Sequence, residues 1–194
     1  MIVVEDGTGL SDSVSFASVA EFNAYCAARL YSSDALAATD DDKEKGLQMA
    51  SRLLDSSVEW KGQRKVVTQA LGWPRMYAVQ AALTVGFGYG LGFGFSYGFY
   101  PYQFGATFYD DASVPKGIKD ATCELAITLL KADRTADAPG KGIKSFGVGQ
   151  NAVSVTFDPK DARELLTDAV YLLVRPFGSV ITARGTRFVP TVRG

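Results

Sequence analysis

The chain contains no histidine, and its two cysteines, Cys26 and Cys123, stand far apart in sequence. Without histidine there is no Ser-His-Asp or Cys-His nucleophile and no imidazole metal site. Two distant cysteines cannot build a zinc site, and inside helical patterns they read as buried free thiols of a reducing compartment, with a disulfide as the alternative. Carboxylates are the catalytic groups that remain. Asp40-Asp41-Asp42 stands where a helix should open, which favours the helix dipole; a metal site is the alternative. Asp110-Asp111 suits a turn or an N-cap, with catalysis as the alternative. No GxGxxG or GxxxxGK[ST] phosphate loop occurs, and Gly140-Lys141-Gly142 reads as a turn. These residues predict a protein that is not an enzyme, with no catalytic residue, metal or cofactor.

What remains is binding chemistry, and three segments offer it. The stretch 61–75 carries Lys61, Arg64, Lys65 and Arg75 with no acid, a basic patch. The uncharged run Gly86–Gly105 alternates seven glycines with nine rings: Phe87, Tyr89, Phe93, Phe95, Tyr97, Phe99, Tyr100, Tyr102 and Phe104. Glycine costs about 1 kcal/mol per site in a helix and leaves a strand with nothing to pack. The run is therefore expected to be a long extended loop burying its rings against a neighbouring protein, with the alternative that it folds back on its own domain. The third segment is the tail 176–194, expected as an extended arm that docks through Val180, Ile181, Arg184, Arg187, Phe188, Val189 and Arg193.

The net charge of −1 hides an asymmetry: residues 1–60 hold eleven acids and four bases, and no acid follows Asp168. An acidic front and a basic tail could complement each other between copies; solvated faces are the alternative. Length and 47% hydrophobic content describe one ordered globular domain. No transmembrane run or signal peptide is expected.

The positioning elements are mostly helical. Ser18 and Glu21 form a capping box for a helix over about 19–30, with Val19, Phe22, Cys26 and Leu30 on its apolar stripe. A second helix spans about 40–56, with Leu47, Ala50, Leu53 and Leu54 facing the core. Pro74 ends any helical turn near Val67–Leu71. A third helix runs from Val114-Pro115 to about Leu130, apolar except for the stripe Asp120, Glu124, Thr128 and Lys131, and should be central. Ile143–Phe157 predicts a small β-hairpin about Gln150-Asn151. Asp158-Pro159 predicts a last helix, ended by Arg175-Pro176, whose apolar face is Ala162, Leu165, Leu166, Ala169, Leu172 and Leu173. The expected fold is mainly α: a small bundle of about four helices with a short β-hairpin, a long Gly/aromatic loop and an extended C-terminal arm. The helical domain covers 1–175, with an inserted loop at 76–112, and the arm covers 176–194.

MIVVEDGTGL, a serine-rich bridge, SVAEFNAYCAAR, TQALGWPR and VPKGIKDATCELA form a set, followed by GVG, VSVTF and a leucine-rich last helix. Over residues 1–75 and 113–175 this set resembles the tailed-phage head–tail adaptor (head completion, neck) proteins. Some relatives carry the label DnaT-like single-stranded-DNA-binding protein. Residues 76–112 depart from the pattern. The resemblance implies a structural virion protein: a helical protomer in a homo-oligomeric ring, typically a dodecamer, at the neck. A portal protein would lie on one side and a tail or further neck protein on the other, with genomic DNA passing through the lumen and no membrane involved. The alternative is a single-stranded-DNA-binding protein. Rings suit base stacking, but Gly86–Gly105 lacks any basic residue and the total charge is slightly negative. A membrane role for the loop is weaker still, for want of flanking basic charge.

Overall fold

The computed structural model describes residues 2–81, 107–135, 145–148, 153–156 and 165–181. The fold is mainly α with short antiparallel strand pairs. Helix α1 (Val19–Ala28) opens on the expected capping box, in which the Ser18 hydroxyl accepts from Glu21 N and the Glu21 carboxylate accepts from Ser18 N. A short α2 (Ser33–Ala37) follows. Helix α3 (Asp40–Ser57) is capped by Thr39, whose hydroxyl accepts from Asp42 N. Helix α4 (Lys116–Lys131) is buried around most of its circumference, with Ile118, Ala121, Thr122, Cys123, Leu125, Ala126 and Ile127 in the core. It packs along α3 and against α5 (Asp168–Val174), and so occupies the centre of the bundle.

Polarity misjudges one position on α4. Glu124, read as part of a polar stripe, is buried. Arg29 grips it with two hydrogen bonds, Nε to Oε2 at 2.7 Å and Nη2 to Oε1 at 2.6 Å, and the Tyr25 hydroxyl donates to Oε2 at 3.0 Å. A charge survives inside a core only when paired in this way. Burial, and then the bond to Glu124, raise the Tyr25 pKa, so the phenol keeps the proton it donates. Near the other end of α1, Lys119 Nζ meets Glu21 Oε1 at 2.6 Å.

The last helix differs from expectation. Residues 165–167 are not helical, and Thr167 caps a shorter helix that begins at Asp168. Its buried face is Val170 and Val174, while Ala169 and Leu172 are exposed. A helix counted from Asp158 sets the wrong rotational register once the chain breaks before 168; the Asp158-Pro159 start lies outside the described residues. Helix α1 likewise stops before Leu30. Its C-cap, Arg29, is extended, and Leu30 stands in solvent.

Among the described residues, eight short strands form four antiparallel pairs. Strands β6 (Ser145–Val148) and β7 (Val153–Thr156) make the predicted hairpin, with Val148 opposite Val153. Strands β2 (Gln63–Arg64) and β3 (Arg75–Met76) pair so that Arg64 faces Arg75. Strand β4 (Val79–Ala81) pairs with β5 (Thr107–Phe108), which sets Ala81 opposite Thr107. Strand β1 (Val58–Trp60) pairs with β8 (Gly178–Val180). This last pair corrects the expectation for the tail. Phe177 is buried, its carbonyl accepts from Lys61 N, and Ile181 N donates to Ser57 O at 2.7 Å. Residues 177–181 thus belong to the domain itself, because one aromatic anchor and a three-residue ladder suffice to hold them.

The strands rest on a chain of rings. Phe16 meets Trp60 edge to face at 6.2 Å, Trp60 meets Trp73 at 6.5 Å, and Trp73 meets both Tyr109 at 6.1 Å and Phe177 at 6.0 Å. Asp55 Oδ1 accepts from Trp60 Nε1 at 2.9 Å and from Gly72 N at 2.7 Å. A Cβ on Gly72 would fall 2.2 Å from that oxygen, so only glycine allows the approach. Among the described residues, no helix is long and apolar enough to cross a membrane.

Candidate nucleic-acid interface

Lys61, Arg64, Lys65 and Arg75 come together on β2, β3 and the turns beside them. Their donors point at backbone carbonyls. Lys61 Nζ reaches Pro176 O at 2.8 Å, and Arg64 Nη1 reaches Gln69 O at 3.3 Å. Lys65 Nζ bridges Gly7 O at 3.3 Å and Asp111 O at 2.8 Å. Arg75 holds three carbonyls: Lys61 at 2.7 Å, Gly62 at 2.6 Å and Gly72 at 3.1 Å. Among the described residues none of the four forms an ion pair with a carboxylate. Backbone carbonyls hold these ammonium and guanidinium groups, while Asp55 lies within electrostatic reach of Arg75 and Asp110 within that of Lys65.

The four are not equivalent. Arg75 is half-buried, and burial followed by the facing Arg64 charge lowers its pKa from the usual arginine value. It is a latch that shapes the turn carrying Lys61 and Gly62. Arg75→Ala is expected to reduce unfolding free energy by about 1–3 kcal/mol, the usual cost of orphaned acceptors, as read by urea denaturation. Arg64 is exposed and commits one donor, which leaves it free for a ligand.

Two rings missed in sequence complete the surface. Tyr77 and Phe108 pack edge to face at 6.3 Å and remain 66% and 51% exposed. The signal that could have found them is their position: both fall within the stretch 76–109, which carries no charge, Tyr77 before the Gly/aromatic run and Phe108 after it. The nine rings Phe87, Tyr89, Phe93, Phe95, Tyr97, Phe99, Tyr100, Tyr102 and Phe104 lie outside the described residues. So do Arg184, Arg187, Phe188, Val189 and Arg193 of the tail. Val180 pairs with Val58 in β8, and Ile181 is exposed.

The remaining acids and thiols make the following contacts. Asp110 closes a turn, accepting from Ala112 N at 3.1 Å and Ser113 Oγ at 2.7 Å, and the Ser113 bond leads in lowering its pKa. Asp41 pairs with Lys45 at 2.6 Å. Among the described residues no group of three metal-ligating side chains occurs. Cys26 and Cys123 are free and buried, and burial pushes the Cys123 thiol up to about 12, so no thiolate nucleophile forms near neutral pH.

The structure thus defines a mainly α domain that displays a small basic and aromatic surface on β-hairpins. Residues 1–85 match the model of a family described as "Putative DnaT-like ssDNA binding protein". The matched segment contains α1–α3, all four bases and Tyr77, and it ends just before Gly86. No curated protein and no solved structure matches the chain.

Proposed function

We propose that the chain binds single-stranded DNA through the surface formed by β2, β3 and their turns. One observation carries this reading: Lys61, Arg64, Lys65 and Arg75 lie on β2, β3 and their turns, with no salt bridge among the described residues, inside the segment that matches a DnaT-like ssDNA-binding family. Phosphate neutralisation supplies most of the affinity of such sites. The slightly negative total charge is unevenly spread: Asp40, Asp41, Asp42 and Glu44 cluster at the start of α3, and the basic surface follows its far end. The protein acts by binding and is not an enzyme. The test is the double variant Lys61→Glu/Arg64→Glu. It is expected to bind an oligo-dT at least tenfold more weakly, with circular dichroism unchanged; unaltered binding would contradict the proposal.

A second reading, the head–tail adaptor, is favoured by a different observation. Asp40, Asp41 and Asp42 open the 18-residue α3, and the basic surface follows its far end, about 27 Å away at 1.5 Å per residue. Acidic and basic poles so separated suit a head-to-tail contact between copies, the kind that closes into a ring. In that reading the chain is a virion neck protein whose partners are its own copies, a portal and a tail or neck protein, and DNA merely passes through. Size-exclusion chromatography with light scattering, with and without oligo-dT, separates the two. A DNA-bound monomer supports the first reading. Concentration-dependent oligomers with no DNA affinity support the second.

A further inference from the structure

We infer that Tyr77 and Phe108 form a stacking platform for unpaired nucleobases, beside the phosphate-binding bases; this rests on the single-stranded-DNA reading above. Two large rings left mostly in water, yet held against each other at 6.3 Å, need an explanation that core packing does not give. The backbone displays them at a cost. Tyr77 has φ of +58°, a left-handed conformation that a bulky residue rarely adopts. It is fixed from both sides. Met76 pairs with Gln63, and the buried Ala78 accepts from Tyr109 N at 2.9 Å. The basic turn is drawn up to the same backbone. A Cβ on Gly62 would lie 2.4 Å from Met76 O and 2.7 Å from Ala78 N, and Gly62 itself has φ of +76°. The backbone of the turn at Gly62 therefore lies against that of Met76 and Ala78, on either side of Tyr77, and Arg75 Nη2 clasps Gly62 O at 2.6 Å. Rings beside backbone-tracking bases are the arrangement by which single strands are held without sequence preference, because every base has a stackable face.

The test compares an oligo-dT with an abasic oligomer of equal length, by fluorescence anisotropy on the full chain. The wild type is expected to prefer the dT strand about tenfold or more, the scale of one good stacking contact. Tyr77→Ala/Phe108→Ala should lose that preference while keeping its abasic affinity, its salt dependence and its melting temperature. Tyr77→Trp should keep the preference, with indole fluorescence quenched by dT and not by the abasic strand. If the double variant fails to fold, this quenching decides the question alone. Equal wild-type affinity for both strands would overturn the stacking platform and leave DNA binding intact. Binding to neither strand would overturn both. A double variant that retains the dT preference would also refute the platform.

Discussion

Glu5→Ala is expected to cost about 2–4 kcal/mol of unfolding free energy and to release the N-terminal loop from the domain. The Glu5 carboxylate is 1% exposed and serves as the hub of that loop. It accepts from Gly7 N at 3.1 Å, Gly9 N at 2.9 Å, Leu10 N at 3.0 Å and Ser13 Oγ at 2.9 Å. Each donor orphaned in a buried place costs about 1–3 kcal/mol; alanine strips the acceptor from the buried Gly7 amide and from the part-buried Gly9 and Leu10 amides, while Ser13 Oγ keeps a bond to Leu10 O at 3.3 Å. The three amides can converge because Gly7 and Gly9 hold φ of +100° and +85°. At Gly7 no side chain fits, since a Cβ would stand 2.0 Å from Ala112 O. Glu5→Gln keeps one acceptor oxygen but turns an amide donor toward amide donors, so it should recover less than half the loss. The damage should reach the basic surface, because Lys65 Nζ bonds Gly7 O and Ala70 N bonds Leu10 O at 2.9 Å. Urea denaturation measures the cost, and hydrogen exchange at Gly7, Gly9 and Leu10 localises it. A change below about 1 kcal/mol would show that the hub is dispensable.

Trp73→Ala should cost about 3–5 kcal/mol, the range for emptying a large aromatic site in a core. Its ring is fully buried and touches Trp60, Tyr109 and Phe177, which lie on β1, after β5 and before β8. The indole thus joins two strand pairs, β1–β8 and β4–β5, to the segment that leads into β3. DNA affinity should fall with stability although Trp73 never reaches the binding surface. Trp73→Phe should cost less than half as much. The indole Nε1 has no hydrogen-bond partner among the described residues, so phenylalanine gives up volume and ring contacts but no bond. Equal losses for both variants would mean that the indole nitrogen matters after all.

Legibility in the sequence followed the length scale of each element. Helices α1, α3 and α4 announce themselves through Ser18 with Glu21, through Thr39 with three aspartates, and through a long apolar period. Strands β1–β5 and β8 are two or three residues long, too short for an alternating pattern, and their partners lie far away: Val58 meets Val180. Glu124 reads as surface because its partner Arg29 is remote in sequence and the pairing is purely tertiary. The basic residues were visible as a run, but not that Arg75 and Lys65 spend their donors as latches while Arg64 stays open. Tyr77 and Phe108 were overshadowed by the richer aromatic run that they flank, and their meeting depends on the β4–β5 register, Val79 opposite Phe108.

The measurement closest to the central claim is an equilibrium titration of the full chain with a fluorescent oligo-dT from about 50 to 200 mM salt. Binding should be clear at the low end and weaken linearly on a log–log plot. Each phosphate neutralised on a single strand adds about 0.7 to the slope, so up to four bases give a magnitude of about 2–3. The Lys61→Glu/Arg64→Glu variant should flatten that slope. No binding at the lowest salt, or an affinity indifferent to salt and to these two residues, would contradict single-stranded-DNA recognition by this surface.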